Sequence, residues 1–150
     1  MRCFHDIDTL STIAVITEIF EFGRFASPGE LTSYLGLTCS EFSSGDSEKR
    51  GPITKSGNKR VRRILVEAGW HYRHPCNVSN ALKARRNGQP QWAIDIADQA
   101  GQRLRKRYRY LSHRGKMPCK VVVAVARELA GFIWALMKEY EVRKNRVKAA

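Results

Sequence analysis

The sequence contains no long uncharged apolar run. Its longest apolar segment, Val121 to Met137, carries Arg127 and Glu128 in its middle, which reads as a buried helix and excludes a membrane span. The N-terminus has no apolar core of the kind a signal peptide needs. Cysteine is sparse: Cys3, Cys39, Cys76 and Cys119 stand far apart with no CxxC pair, which fits reduced thiols in a cytoplasm better than a disulfide framework. His71, His74 and Cys76 fall close together, but Pro75 interrupts them and no fourth ligand stands at zinc-like spacing, so metal is not expected there. No stretch alternates convincingly as a strand, and no internal repeat is visible. Acid is scarce beyond residue 48, where six carboxylates face 25 cations.

The charge that is there is strongly polarised. Residues 1–48 hold Arg2 and Arg24 against eight acids, a balance of −6, whereas residues 49–150 carry +19. That excess exceeds what solubility requires and points to a polyanionic partner, nucleic acid first. At 150 residues and 43% hydrophobic content, the chain is large enough for one domain with a real core.

Apolar spacing predicts helices throughout. Ile7 to Phe22 places Leu10, Ile13, Ala14, Ile16, Ile19 and Phe20 at helical intervals. Ser27-Pro28-Gly29-Glu30 is a capping box with proline at the first helical position, and Gly36 ends the short helix that follows. The stretch from Thr38 to Gly57 shows no periodicity; its length argues for a functional loop. Asn58 caps a helix to about Tyr72, with Val61, Ile64, Leu65, Ala68 and Tyr72 on one face. Lys59, Arg62 and Arg63 lie on the other face, in the first turns, where cations oppose the helix dipole. Such placement suits a ligand better than a purely structural helix. Pro75, Gly88 and Pro90 bracket a connection containing Lys83, Arg85 and Arg86.

A helix from about Gln91 to Leu111 buries Ala97, Ala100, Leu104, Tyr108 and Leu111. Arg103, Arg105, Lys106, Arg107 and Arg109 put five cations in seven residues on it, with Tyr110 among them, a pattern suited to phosphate contact and base stacking. The last helix, from about Cys119 to Glu141, carries Val121, Val125, Leu129, Phe132 and Leu136 as the core. The expected fold is therefore all-α: one compact domain of four or five helices over residues 1–142, centred on Val121–Tyr140, with a basic flexible tail at 143–150.

Chemistry concentrates between Leu35 and Arg63. Gly45, Gly51 and Gly57 shape a polar loop in which Ser43-Ser44-Gly45 can present a hydroxyl. Lys49, Arg50, Lys55, Lys59, Arg60, Arg62 and Arg63 put seven cations in fifteen residues beside it. A serine needs activation to be a nucleophile, by a histidine–carboxylate pair or by metal-assisted phosphoryl transfer. Neither a triad partner nor a carboxylate cluster adjoins Ser44 in sequence, although His71 could approach in space.

One run of residues carries a resemblance. Tyr34-Leu35-Gly36-Leu37, Ser44-Gly45, Ile53-Thr54-Lys55-x-Gly57-Asn58, Arg62-Arg63, Leu65-Val66-Glu67-Ala68 and Trp70-His71-Tyr72-Arg73 resemble, in order and spacing, the second domain of the DEDD-type insertion-sequence transposases. This "IS-one-ten" class is also called the bridge-RNA-guided recombinases. Arg103-Leu104-x-x-Arg107, Arg114-Gly115-Lys116 and Val123–Leu129 extend the likeness over nearly the whole chain.

The resemblance implies a catalytic serine at Ser44, attacking DNA to form a phosphoserine link. It implies magnesium on an Asp-Glu-Asp-Asp cluster in an upstream RuvC-like domain, with no cofactor in this chain, and a structured guide RNA as partner. Asn58 and the cations of both basic stretches are the implied nucleic-acid contacts. The expected setting is the bacterial cytoplasm, nucleoid-associated. The family's N-terminal helix-hairpin-helix turn reads Asp6-Ile7-Asp8 in this chain, without glycine and with two negative charges, so that element is read as packing. Starting where the second domain would begin, the chain looks like a truncated or split transposase that works as a homo-oligomer or with a separate carboxylate-bearing half. The alternative is a non-catalytic nucleic-acid-binding remnant; a more distant one is an RNA-binding protein of translation.

Overall fold

The computed structural model describes residues 1–44 and 47–149, as six helices and one two-stranded hairpin among those residues. In order these are α1 (Thr9–Ile19), α2 (Pro28–Tyr34), β1 (Cys39–Ser44), β2 (Ser47–Ile53), α3 (Lys59–His71), α4 (Asn80–Arg86), α5 (Gln91–His113) and α6 (Pro118–Ala149). The fold is all-α apart from that hairpin, as the periodicity predicts.

α6 is the centre of the core and packs against α2, α3 and α5. Val121, Val122, Val125, Ala126, Leu129, Ala130, Ile133 and Leu136 are all buried on it. α3 reaches it closely because it carries Gly69: a Cβ there would stand 3.1 Å from the Val122 carbonyl oxygen. The expected apolar face of α3 is correct, with Val61, Leu65, Ala68 and Tyr72 buried. Asn58 caps it, its Oδ1 accepting from Val61 N at 2.9 Å. The capping box of α2 is also in place. Ser27 Oγ accepts from Glu30 N at 3.2 Å, and Glu30 Oε2 accepts from Ala26 N at 2.8 Å.

Four expectations change. The stretch read as an aperiodic loop forms an antiparallel hairpin, pairing Cys39 with Ile53, Glu41 with Arg50, Phe42 with Lys49, Ser43 with Glu48 and Ser44 with Ser47. It escaped notice because Pro52, a bulge between Cys39 and Glu41 and few apolar residues hide the period of two. The ladder extends beyond the hairpin through Thr54 N to Thr38 O (2.9 Å) and Lys55 N to Gly36 O (3.1 Å), which fastens it to the end of α2.

The connection containing Lys83, Arg85 and Arg86 holds a sixth helix, α4, capped by Ser79. Arg85 donates to the carbonyls of Arg2, Phe4 and His5, and Arg86 to Cys3 O and to Asp98 at 2.6 Å. These two arginines pin the first five residues rather than face solvent. Residues 143–149 continue α6, with Arg143 Nε 2.6 Å from Glu139 one turn back and its guanidinium over the Trp92 ring.

On α1, finally, the buried residues are Val15 and Ile19, whereas Leu10, Ile13, Ile16 and Phe20 are exposed. Asp8 caps that helix by accepting from Ser11 N at 2.7 Å.

Candidate nucleic-acid interface

Ser44 is the last residue of β1, paired across the hairpin with Ser47, the first residue of β2. Gly45 lies outside the described residues, as do the side chains of Ser44, Lys49 and Arg50. Gly51 belongs to β2, and Gly57 adopts φ +86° at the exit towards α3. His71 stands at the far end of α3, about 18 Å along the axis from Lys59 at 1.5 Å per residue, and its Nδ1 is 3.6 Å from Asp6 Oδ1. Burial pushes the Asp6 carboxyl above the usual range, with His71 opposing that shift.

The first basic group, at the start of α3, divides by what its members touch. Lys59 is exposed, Arg60 lies 3.4 Å from Glu18, and Arg63 pairs with Glu67 at 2.8 Å along its own helix. Both pairs are solvent-exposed and weak, so these cations can turn to another anion. Arg62 instead turns inward: its Nη1 donates to Leu35 O at 2.9 Å and Ser56 O at 3.3 Å. Asn58 is likewise committed, donating to Glu18 Oε2 at 2.7 Å while it caps α3. Lys55 sits in the left-handed region at φ 54°, with its side chain exposed.

The second basic group splits across α5. Arg103 and Arg107 share the side facing α6. There Arg103 Nε lies 3.3 Å and Arg107 Nε 3.0 Å from the two oxygens of Glu128, the latter without hydrogen-bond alignment. Arg105 and Arg109 fall on the opposite side by helical spacing. Arg105 is half-buried beside Cys76, whose thiol is pushed up by burial and drawn partly back by that guanidinium. Lys106 and Arg109 are exposed, as is Tyr110, which carries Arg114 against its ring. Tyr108 is half-buried on the core.

Sequence reading passed over Lys120 and Arg127, which project from α6 opposite the hairpin base. Their spacing of seven residues, one face of a helix, was the available signal.

Among the described residues no group of three or more His, Cys, Asp or Glu side chains could hold a metal ion. Cys76 Sγ donates to Gly101 O at 3.3 Å, and His74 Nε2 accepts from Arg73 Nε at 2.9 Å. The residues singled out for zinc-like proximity are thus engaged elsewhere. No helix among the described residues is long and apolar enough to cross a membrane.

Residues 6–84 match the family described as Transposase IS116/IS110/IS902. The chain belongs to that transposase family. It is 44% identical over 139 residues to the putative transposase y4qE of Sinorhizobium fredii, covering 93% of this chain and 36% of that protein. It is 32% identical over 118 residues to the transposase for insertion sequence element IS1533 of Leptospira borgpetersenii, covering 77% of this chain and 34% of the relative. The chain therefore spans about a third of the length of these curated transposases. No solved structure matches it.

Proposed function

We propose that this chain is the serine-bearing, DNA-binding part of an insertion-sequence transposase, with Ser44 as the nucleophile of strand cleavage and transfer. The observation that carries the reading is the position of Ser44 at the turn end of a hairpin whose base is fastened to α2 and whose exit leads into the cationic start of α3.

In the reaction proposed, an Oγ–P bond forms as one P–O bond of the backbone breaks, and the departing sugar oxygen takes up a proton. The serine proton is released in the same exchange. Magnesium is expected on a carboxylate-bearing domain. This chain's described residues do not fit it, so its own contribution is the hydroxyl and the cations that hold phosphate. A guide RNA and a second copy or separate transposase half are the further partners proposed, in the bacterial cytoplasm near the nucleoid. The N-terminal helix-hairpin-helix-like element serves packing, because Asp8 caps α1 and Asp6 approaches His71.

Binding of the chain to a duplex, titrated with salt, tests the nucleic-acid half of this reading. The logarithm of affinity should fall linearly with that of salt, with a slope of about −0.9 per phosphate neutralised. Replacing Lys59, Arg63, Lys106 and Arg109 together by Gln should flatten the slope by about 3.6 units on the same relation. An unchanged slope removes these cations from the interface.

A further inference from the structure

A cleft of about 830 Å³ opens between the hairpin base, α2 and the first half of α6. Its floor is apolar, built from Leu37, Ile53, Val123 and Ala124, with Gly131 closing it against Pro28. Its rim is cationic: Lys55 comes from the hairpin exit, Lys120 and Arg127 from α6, and Arg107 from α5. Among the described residues the one carboxylate in its lining, Glu128, is approached by both Arg103 and Arg107. The trough runs along α6 from Cys119 to Gly131, about 18 Å at helical rise.

An apolar floor under a cationic rim suits a ligand with an apolar face and a negatively charged backbone. A base pair inside a duplex does not offer that face, since its bases are stacked. A single nucleotide turned out of the stack does, and enzymes that extrude bases receive them between aromatic or apolar side chains. The volume lies in the range of small-ligand pockets and leaves room for the sugar beside the base.

We infer that this cleft receives an unpaired nucleotide of the DNA or RNA strand, its base against Ile53, Val123 and Ala124 and its phosphates on Lys55, Lys120 and Arg127. The inference rests on the nucleic-acid reading above. It also fixes a spacing. Cys39, in the cleft wall, and Ser44 are the two ends of β1, about 17 Å apart at strand rise. The extruded nucleotide is therefore held at a distance from the phosphodiester facing Ser44, where it can set the register of the strand without blocking the reaction.

The thiols supply a probe. Cys39 and Cys119 are exposed and line the cleft, whereas Cys3 is buried and Cys76 half-buried. The chain is titrated with a 20-base-pair duplex and with the same duplex carrying one bulged 2-aminopurine. The bulged duplex should bind about tenfold tighter, shift the 2-aminopurine fluorescence, and slow alkylation of Cys39 and Cys119 by about tenfold; the intact duplex should leave that alkylation nearly unchanged. Lys120→Gln with Arg127→Gln should reduce the affinity ratio between the two duplexes to about twofold.

Equal affinity for both duplexes overturns the cleft assignment while leaving DNA binding standing. Failure to bind either duplex overturns the nucleic-acid reading itself. Protection of both thiols that rises with protein concentration in the absence of DNA would make the cleft a self-association surface, and the assignment falls.

Discussion

Gly36 and Gly57 face each other where the hairpin leaves α2 and enters α3, and this junction gives a sharp stability prediction. Gly57 has φ +86°, and a Cβ on it would overlap the Tyr34 carbonyl oxygen; Gly36 has φ +65°, and its Cβ would overlap Ser56 O. Gly57→Ala therefore incurs two separable costs. The left-handed backbone costs about 1 kcal/mol for a residue with a side chain. The overlap is with backbone, which no rotamer relieves, and the forced shift adds about 1–3 kcal/mol. Moving Tyr34 also disturbs the two carbonyls, Leu35 O and Ser56 O, that Arg62 holds. At about 2–4 °C per kcal/mol for a chain of this size, the midpoint of thermal unfolding should fall by about 5–15 °C.

Gly88→Ala is the matched control. Gly88 has φ +70°, but nothing lies within 4 Å of its Cβ position, so only the backbone cost applies and the fall should be about 2–4 °C. Circular dichroism melts of the two variants measure the difference. Equal losses would mean that the Gly57–Tyr34 approach is not fixed and that the hairpin is not fastened to α2 as described.

Arg62→Ala should lower stability by about 1–3 kcal/mol, since it leaves two carbonyl acceptors unpaired. It should hardly alter the salt slope of DNA binding, whereas Lys59→Ala should do the reverse; chemical denaturation and salt-titrated binding separate them. Burial holds the His5 imidazole below its ordinary 6.5. As pH falls through 6.5 the unfolded chain gains a proton that the folded chain resists, so stability is lost between 6.5 and the lower folded value. Asp6, raised by burial, acts oppositely: the folded state binds its proton more tightly, and stability is lost as pH rises from 3.8 to its folded value. Melting midpoints should therefore drop from pH 7.5 to 5.5, and His5→Gln should flatten that drop; an unchanged profile in the variant would show that another group is responsible.

The helices that could be read from sequence are those whose own pattern decides them. α3, α5 and α6 show sustained helical spacing, and α2 announces itself by Ser27, Pro28 and Glu30. What escaped depends on partners distant in sequence. α4 has only seven residues, and its arginines acquire their role by meeting carbonyls about 80 residues away. The rotation of α1 buries Val15 and Ile19 and leaves Leu10, Ile13 and Ile16 outward, a choice made by the packing and not by the apolar stripe.

For the candidate site, cation density singled out α3 and α5, on which Lys59, Lys106 and Arg109 are exposed. Density could not tell Arg62, bonded to two carbonyls, from Lys59 three residues earlier. It also passed over Lys120 and Arg127, because two cations within an apolar helix raise no local peak of charge. The hairpin carrying Ser44 was hidden for a different reason: its pairing rests on backbone ladders extended from Gly36 and Thr38 rather than on an alternating apolar face.

Trapping the covalent intermediate tests the central claim most directly. The chain is incubated with cleavable DNA, guide RNA and a carboxylate-bearing transposase half supplied in trans, and the adduct is mapped by mass spectrometry. The account predicts phosphoserine-linked DNA on Ser44, abolished by Ser44→Ala while salt-titrated DNA binding and the melting midpoint are kept. An adduct on Ser43, or strand transfer that proceeds in the Ser44→Ala variant, would contradict it.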